Sequence, residues 1–548
     1  MNNFSALNRA SIDDKLVSKE FDLLIIGGGI TGAGIALDAS SRGMKVALIE
    51  KNDFASGTSS KSTKLIHGGL RYLKQFDFWL VKEVGSERAI VHKLAPHLVI
   101  PEKMVLPLIK GGTYGSWLTS IGLKIYDILA NVEGDDKRKM LNKEEALKIE
   151  PLLPTKILEG AGYYAEYRTD DARLTIEVLK TALNYDTTAI NYCEAIEFIY
   201  KDEKIKGIKA FDTITNKKFD INAKYVVNAT GPWVDELRQI NHSKTGKRLH
   251  LTKGVHLVFA HEKLPIKHAV YFDVPDGRMM FAIPRGKVTY IGTTDTNFQE
   301  DKNNVDVTTT DAMYLISAVN NMFPTINLNL DDVQSSWAGL RPLIHEEGKS
   351  ASELSRKDEI FVSDTELISI AGGKLTGYRK MAERIVDLVC KKYNNRYDKK
   401  FKDIETHQIV LSGGKFKNFK EVQNYQSKIF KQIKPAGFTK TDANYLVYNY
   451  GKQTNNILKK FDELKDSDIE VRLAKAELWF CIHHEMVQTP LDFFIRRTGK
   501  LYFDIESLKK LQEPIIMEFS KTFNWDEQTI KQHQKKLENN IKLSKAFK

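Results

Sequence analysis

The chain has 548 residues, of which 42% are hydrophobic and 28% are charged. This composition is typical of a globular protein long enough for two or three domains, and it excludes a disordered chain, a collagen and a disulfide scaffold. Lysine and arginine exceed aspartate and glutamate by a formal net charge of +11. A basic surface is compatible with nucleic acid, an anionic lipid surface or an acidic substrate, and charge alone does not choose among them.

The cysteines and the hydropathy pattern further limit the class of protein. Cys193, Cys390 and Cys481 lie far apart and form no CxxC pair, which fits a reducing compartment, and we predict no metal site. The N-terminal residues lack the apolar core of a secretory signal, and no run approaches the ~18 uncharged apolar residues that cross a bilayer. We therefore expect a protein that is soluble or bound to a surface.

The first clear element of the chain is a βαβ unit. An apolar run over 21–26 predicts a buried strand, small residues then predict a helix through about Ser41, and 45–50 predicts a second strand. The glycine-rich turn before the helix lets a pyrophosphate approach the backbone at the helix N-terminus. Its GxGxxG spacing is made by Gly27, Gly29 and Gly32.

Glu50 ends the second strand, where an acid accepts a hydrogen bond from a ribose hydroxyl. Strand, glycines, helix, strand and acid in this order predict a dinucleotide site, and the acid argues against NADP. Two later strands, over 224–228 and 367–371, lead to Ala229-Thr230-Gly231 and to a helix expected at Gly372-Gly373. Their order and spacing resemble two-dinucleotide-fold flavoproteins, so FAD is favoured over NAD, with the helix dipole facing the flavin.

Two polar groups of residues are candidates for holding a substrate. Residues 58–72 are dense in polar side chains, and a solvated loop is an equal alternative there for Lys61 or Ser62 alone. A second group lies in a strand-rich block over 250–345, where Arg341 sits among apolar residues and so needs an anionic partner, either substrate or a structural carboxylate. Taken alone, His256 is more typical of a core histidine than of a catalytic base. We expect Lys253–His256 to begin one strand and Ile291–Asp295 to end another.

Six segments together resemble the FAD-dependent glycerol-3-phosphate dehydrogenases. They are 26–34, 59–72 (SSKSTKLIHGGLRY), 227–233, 291–295, 339–343 (GLRPL) and 371–380 (AGGKLTGYRK). The likeness covers residues 20 to about 390 in unbroken order and extends weakly over 485–498. Members of this family oxidise sn-glycerol 3-phosphate to dihydroxyacetone phosphate, with the C2 hydride passing to FAD while a base removes the C2 hydroxyl proton.

The resemblance implies a set of site residues. Positions associated with the substrate pocket are Arg71, Tyr72, His256, Thr293, Arg341, Arg356 and Lys374. Arg356 has a plain surface residue as its alternative interpretation. His256 is the first choice for the base and His67 the second, and Arg341 and Lys374 complete the catalytic set. We expect the cofactor to contact Gly27, Gly29, Ile30, Thr31, Gly32, Glu50, Lys51, Thr58, Ser59, Ser60, Ser62, Lys64, Leu65, His67, Gly68, Gly69, Ala229, Thr230, Gly231, Gly372, Gly373, Lys374, Leu375 and Thr376.

The family also implies partners and a location. Its usual electron acceptor is a membrane quinone, so we expect an enzyme on the cytoplasmic face of the cell membrane, with a homodimer as one possible state and no nucleic acid partner. A lysine-rich tail favours an anionic lipid surface, with a solvated helix face as the alternative. The tail lysines are Lys531, Lys535, Lys536, Lys542, Lys545 and Lys548.

Three other functions remain as alternatives. A glycerol-3-phosphate oxidase would use oxygen as acceptor, and such relatives tend to carry an extra insertion. A flavin amine or amino-acid oxidase needs a carboxylate-binding arginine but not the arginine and lysine group proposed here for phosphate. An RNA-binding flavoprotein predicts basic and aromatic residues interleaved on one surface, and the sequence shows no such pattern.

The fold class expected is α/β: a Rossmann-like FAD-binding domain, an antiparallel-sheet cap domain that binds the substrate, and a C-terminal helical domain. We expect the FAD-binding domain to be discontinuous, over 20–75, 155–240 and 345–395. The cap domain is expected over 76–154 and 241–344, and the helical domain over 400–548.

Overall fold

A computed structural model of the chain describes residues 4–67, 78–112, 138–345 and 358–548. They form two large sheets, helices that cover the sheets, and a helical domain after them, so the predicted fold class is confirmed. In chain order the α-helices of at least four residues are α1 (Arg9–Ser18), α2 (Ile30–Ser41), α3 (Phe78–Leu94), α4 (Lys143–Ile149), α5 (Asp171–Leu183), α6 (Val234–Ile240), α7 (Thr309–Met322), α8 (Tyr378–Tyr397), α9 (Phe419–Ile433), α10 (Lys440–Tyr450), α11 (Thr454–Glu463), α12 (Ile469–His484), α13 (Lys500–Phe503), α14 (Ile505–Phe523) and α15 (Glu527–Leu543).

The first sheet is built on the predicted βαβ unit. Its strands are β1 (Glu20–Ile26), β2 (Val46–Ile49), β7 (Thr188–Ile190), β8 (Cys193–Lys201), β9 (Lys204–Asp212), β10 (Lys217–Asn228), β17 (Glu359–Val362) and β18 (Ile368–Ala371). The order β18-β10-β1-β2-β7 is parallel throughout, and β17, β9 and β8 add antiparallel edges. β1 and β2 are apolar because both of their faces are covered, and α2 packs between α5 and α8 with almost every residue buried.

The second sheet is mainly antiparallel. Its strands are β3 (Leu65–Ile66), β4 (Ile100–Ile109), β5 (Lys139–Asn142), β6 (Leu158–Arg168), β11 (Leu249–Ala260), β12 (Ala269–Asp273), β13 (Met279–Arg285), β14 (Val288–Gly292), β15 (Thr296–Asn297) and β16 (Val333–Ile344). β6 pairs with β3, β4 and β5, so residues 158–168 belong to this sheet although they fall within a segment expected in the FAD-binding domain.

Two predicted boundaries differ from the structure. β11 begins at Leu249, so His256 lies in the middle of a strand rather than near its start. The helix expected at Gly372-Gly373 begins later, with a 3-10 turn over Leu375–Gly377 followed by α8. Both glycines have φ near +79°, a left-handed conformation that a right-handed helix cannot contain.

The helices from α9 to α15 form the C-terminal domain, whose apolar core continues into the second sheet. Tyr164, Tyr290 and Trp337 of that sheet belong to the same cluster of buried side chains as the helices. The domain therefore packs against the sheet as part of one continuous core, and is not an appendage on a linker.

No helix among the described residues combines the length and the apolar character needed to span a membrane. Within those same residues, no cluster of histidine, cysteine and carboxylate side chains is arranged to hold a metal ion. Cys193 and Cys481 are buried, Cys390 is half-buried, and all three thiols are free.

Buried ion pairs join the C-terminal domain to α5. Arg173 donates to both oxygens of Glu485, at 2.6 and 2.8 Å, and to Glu177 at 2.6 Å. Lys180 reaches the same two carboxylates at 2.9 and 3.1 Å. Although burial opposes ionisation, Arg173 and Lys180 lower the pKa of Glu485, so its charged form is the stable one.

We expect the change Glu485→Gln to lower the stability of the fold at neutral pH on the order of 3 kcal/mol, because it leaves the buried cations Arg173 and Lys180 sharing the single carboxylate of Glu177. The pKa of Glu485 is lower in the folded than in the unfolded chain, so its contribution is complete above the unfolded value near ~4.3 and is lost as the pH falls below it. Thermal unfolding of wild type and variant at pH 7, 4 and 3 measures this. A difference in Tm that does not narrow with acid would contradict it.

Candidate functional site

A long pocket opens at the carboxyl ends of β1, β2, β10 and β18, where a doubly wound sheet places its ligands. Three segments widely separated in the sequence meet there: the glycine-rich turn with the loop after β2, the turn after β10, and the turn after β18. The parallel order of the strands brings them together, since each segment follows the C-terminal end of its strand.

The glycine-rich turn approaches the neighbouring backbone too closely for side chains. A Cβ on Gly27, which has φ of +114°, would lie 2.6 Å from the carbonyl oxygen of Ala229. A Cβ on Gly32 would lie 1.9 Å from the carbonyl oxygen of Gly27. The helix α2 therefore starts against bare backbone, and Gly29, Ile30 and Thr31 at its N-terminus line the pocket, where the helix dipole suits a pyrophosphate.

Glu50 lines the pocket directly after β2, where the sequence predicts a contact with a ribose. Its carboxylate accepts hydrogen bonds from the backbone amides of Gly28, at 2.7 Å, and Asn52, at 2.9 Å. Burial raises its pKa. Two backbone donors thus fix the direction of the carboxylate before any ligand binds, and its remaining lone pairs suit ribose hydroxyls.

The turn after β10 forms the apolar end of the pocket. Thr230 donates through its hydroxyl to Asn228 at 2.7 Å, and Trp233 covers the pocket with the ammonium of Lys51 at 4.7 Å from its ring centre. Leu237 and Ile240 of α6 continue this wall. A planar base fits between such surfaces.

These observations fit a dinucleotide with two phosphates, a ribose and a base. Sixteen of the residues expected to contact it line the pocket: Gly27, Gly29, Ile30, Thr31, Glu50, Lys51, Thr58, Ser59, Ser62, Ala229, Thr230, Gly231, Gly372, Gly373, Lys374 and Leu375. The structure places Gly32, Ser60, Lys64, Leu65, His67 and Thr376 beside the lining instead. Gly68, Gly69, Arg71, Tyr72 and Arg356 lie outside the described residues.

Several lining residues have no counterpart among the sequence predictions. Asp171, Cys193, Glu194, Trp233, Leu237, Ile240, Pro342 and Met381 reach the pocket from other elements. Trp233 and Pro342 had a local signal, because they lie in the 227–233 and 339–343 segments. The others reach the pocket through tertiary packing, which no spacing in the sequence reports.

A second group of polar side chains lies where β11, β14 and β16 run side by side. Arg341 donates to the hydroxyl of Thr293 at 2.8 Å, to the carbonyl of Thr294 at 2.9 Å and to Asp295 at 3.1 Å. A Cβ on Gly254 would lie 2.3 Å from the guanidinium, so the missing side chain makes room for it. The arginine thus has a structural carboxylate partner and a fixed orientation.

His256 belongs to the same face of β11 as Gly254, because strand residues two apart point the same way. Its ring stacks on Trp337, with centres 4.8 Å apart and planes at 11°. Nε2 lies 3.0 Å from the hydroxyl of Thr63, and Nδ1 is buried and has no hydrogen-bond partner among the residues that the structure describes. Burial, then the charge of Arg341, lowers its pKa, so the imidazole is neutral at pH 7 and able to accept a proton.

The loop over 58–64 connects the dinucleotide pocket to this second group. The hydroxyl of Thr58 donates to the carbonyl of Leu340 in β16 at 2.7 Å, and Trp337 donates to the carbonyl of Ser62 at 3.3 Å. Asp171 accepts from both the amide and the hydroxyl of Ser62. Lys374 lines the pocket from the turn after β18. The geometry therefore brings two cationic side chains, Arg341 and Lys374, to the edge of a dinucleotide pocket.

Comparison with known proteins identifies both parts of the chain. The family model described as FAD dependent oxidoreductase matches residues 22–372, and the model described as C-terminal domain of alpha-glycerophosphate oxidase matches residues 404–530. The aerobic glycerol-3-phosphate dehydrogenase of Bacillus subtilis (strain 168) is 51% identical over 97% of this chain and 97% of its own length.

Solved structures agree in fold. The glycerol-3-phosphate dehydrogenase from Bacillus halodurans, crystallised in complex with FAD, has a TM-score of 0.85 and 42% identity over 99% of both chains. The L-alpha-glycerophosphate oxidase from Mycoplasma pneumoniae has a TM-score of 0.55 at 19% identity, covering 70% of this chain and 96% of its own, which shows a shared fold. FAD is therefore the dinucleotide cofactor.

We expect Gly32→Ala to weaken FAD binding at least tenfold, because the new methyl group would displace the carbonyl of Gly27 that shapes the pyrophosphate turn. Gly377→Ala is the matched control, since its Cβ meets no atom within 4 Å and its φ of −88° suits alanine. Flavin fluorescence during titration of the apoprotein with FAD measures both. Equal affinities for the two variants would contradict the assignment of the turn.

Proposed function

Because the chain belongs to the FAD-dependent glycerol-3-phosphate dehydrogenase family, we propose that it oxidises sn-glycerol 3-phosphate to dihydroxyacetone phosphate and passes the electrons to a membrane quinone. The observation that carries the proposal is the cluster of Arg341, Thr293 and His256, which is joined to the dinucleotide pocket by the loop over 58–64. The segment that holds Arg341 also supplies Pro342 to the pocket lining.

Arg341 is suited to a phosphate group. A guanidinium presents five donors in a rigid fork, and bidentate contacts of this kind are the strong form of phosphate recognition. Asp295 and the carbonyl of Thr294 hold one nitrogen of the fork, and Thr293 holds the other. We propose that this arrangement orients the guanidinium toward the substrate phosphate, with Arg71, Tyr72 and Arg356 as the further substrate contacts expected from the sequence.

His256 is the proposed general base and His67 the second choice. The neutral ring of His256 can take the C2 hydroxyl proton on Nδ1, while the hydroxyl of Thr63 and the face of Trp337 keep the ring from turning. The bound FAD supplies a flavin ring that accepts the hydride from C2. Lys374 places a cation at the pocket edge, where it favours negative charge that develops during oxidation.

The proposed location is the cytoplasmic face of the cell membrane, and the charge distribution supports it. Residues 391–548 hold 31 of the 82 lysine and arginine residues and 20 of the 71 aspartate and glutamate residues, so the entire net charge belongs to this part of the chain. An anionic bilayer attracts basic segments of this kind within a Debye length.

Within that part, the lysines around α9 form an exposed basic surface, which we call the lysine surface. Glu421 is the single acid of residues 411–441 and is bonded to Lys452. Among the described residues, the lysines of this surface form no ion pair. They are Lys415, Lys417, Lys420, Lys428, Lys431, Lys434 and Lys440. In the tail, by contrast, Lys548 pairs with Asp306 and Lys531 lies 3.8 Å from Glu527.

The reaction is tested by adding sn-glycerol 3-phosphate to the purified flavoprotein without oxygen and recording the flavin absorbance. We expect rapid bleaching that a quinone analogue reverses quickly and air only slowly. Rapid reversal by air with formation of peroxide would instead establish the oxidase. No bleaching of a flavin-loaded protein would contradict the substrate and reopen an amine or amino-acid oxidase.

Arg341→Ala is expected to lower kcat/KM for sn-glycerol 3-phosphate at least a hundredfold, because loss of a charged hydrogen bond to substrate costs roughly 3 kcal/mol or more. FAD content and Tm should change little, since the side chain is partly exposed at the site. Arg341→Lys is the matched variant that keeps the charge but not the fork, and should recover only part of the loss. Unchanged kinetics in Arg341→Ala would contradict the role.

Binding to vesicles containing anionic lipid tests the location. The triple change Lys420→Gln, Lys428→Gln and Lys431→Gln should weaken binding roughly a hundredfold at low salt, because each lysine near such a surface contributes about 1 kcal/mol. The matched control is Lys535→Gln, Lys536→Gln and Lys542→Gln in the tail, which removes the same charge elsewhere. Equal losses in both would contradict a specific role for the lysine surface, and no binding by wild type would contradict membrane association.

A further inference from the structure

We propose that the C-terminal domain holds the FAD-binding loop after β2 in its binding conformation, with Asp53 as the positioning residue through which Arg496 and Arg497 act. The inference rests on the proposed assignment of the pocket residues to FAD. It gives the C-terminal domain a function in cofactor retention in addition to its packing on the second sheet.

The loop after β2 contributes two separate stretches to the pocket lining. Glu50, Lys51 and Asn52 line the pocket before Asp53, and Ser56 to Ser59 line it afterwards. Between these two parts, residues 53–55 turn away from the pocket into the protein, where all three are buried. We call this loop the arch. Residues 50–52 and 56–59 are its two arms, which line the pocket, and residues 53–55 are its base, which is buried in the protein interior.

The base of the arch contains one residue, Ala55, in an unfavourable backbone conformation. Ala55 adopts φ of +61°, a left-handed conformation that costs a residue with a Cβ roughly 1 kcal/mol. Ala55 nevertheless donates its amide to the carbonyl of Gly28 at 3.0 Å, and Phe54 packs directly under Gly28. A contact from outside the loop is therefore needed to keep Ala55 and Phe54 against the glycine-rich turn. The backbone of the glycine-rich turn also holds Glu50.

Asp53 supplies that constraint. Both of its carboxylate oxygens are buried and accept four hydrogen bonds: from Arg496 at 2.6 Å, from Arg497 at 2.8 and 3.0 Å, and from Asn191 at 3.0 Å. Burial opposes the charge, but Arg497 and Arg496 lower the pKa of Asp53 to about 2, so it stays ionised at neutral pH.

The two arginines are themselves fixed by the C-terminal domain. They lie in a π-helical turn over Phe493–Arg497, and Arg497 also donates to the carbonyl of Glu485 at 2.8 Å. Arg496 pairs with Asp492, which accepts a hydrogen bond from the hydroxyl of Tyr192 at 2.7 Å. A shift of this turn would therefore move Asp53 and, through it, both arms of the arch.

The test is the dissociation rate of FAD from the holoenzyme, followed by the rise in flavin fluorescence. Arg496→Lys keeps the charge near Asp53 but loses the fork, and we expect FAD to dissociate at least tenfold faster. The rate at which sn-glycerol 3-phosphate bleaches the flavin that is still bound should stay unchanged, because Arg496 touches neither substrate nor the substrate group around Arg341. An unchanged dissociation rate would overturn the proposal.

Two controls separate this inference from others. Glu177→Gln weakens the same domain interface at α5 but touches no residue of the loop, so it should lower Tm without changing FAD dissociation. If it releases FAD as fast as Arg496→Lys, general destabilisation explains the effect and the proposal fails. Glu50→Gln should release FAD rapidly; if it does not, the assignment of the pocket fails, whatever Arg496 shows.

If Arg496→Lys does not fold, Tyr192→Phe provides the same test with a smaller structural change. It removes one hydroxyl that donates to Asp492 at 2.7 Å and leaves every charge in place. We expect FAD to dissociate about threefold faster, the fold-change for a net hydrogen bond of ~0.6 kcal/mol. A dissociation rate equal to that of wild type would overturn the proposal.

Discussion

The site depends on one buried interaction, the contact of Asp171 with the loop over 58–64. Asp171 accepts from the ammonium of Lys64 and from the amide and hydroxyl of Ser62. Lys64 in turn donates to the carbonyl of Ser60, which closes the loop on itself. A buried carboxylate and ammonium are costly to desolvate unless each is fully hydrogen-bonded, so this pair persists only in one geometry of the loop. Because the loop contacts both the dinucleotide pocket and the group around Arg341 and His256, its geometry positions both parts of the site.

In the dinucleotide half, the hydroxyl of Ser59 accepts the amide of Ile30 at the first turn of α2, which fixes the loop against the pyrophosphate turn. In the substrate half, Thr63 contacts His256 and Thr58 contacts β16, which supplies Arg341. The cofactor pocket and the proposed substrate residues thus come from two different sheets but share one connecting loop. Hydride transfer needs reacting atoms held within a few tenths of an ångström, and a shared connection favours such positioning.

The C-terminal domain also contacts the elements that support the pocket. Its ion pairs with α5 reach the helix that begins at Asp171, and its arginines reach Asp53 in the neighbouring loop. The domain therefore contacts the structural supports of the pocket rather than the pocket itself. Its outer face carries the lysine surface, so one domain combines support of the cofactor with the basic surface proposed for membrane contact.

The sequence by itself determined the βαβ unit, the glycine turn and Glu50, because these follow from local spacing: glycines where a Cβ would clash, apolar runs where both faces are covered, and an acid at a strand end. Resemblance to known flavoproteins added FAD as cofactor and the family. Only the tertiary structure decided that Lys64 pairs with Asp171 beside the pocket, that His256 lies mid-strand on Trp337, and that β6 belongs to the second sheet. The physical reason is that burial, ion pairing and strand partners depend on residues tens to more than a hundred positions apart, for which the chain carries no local signal.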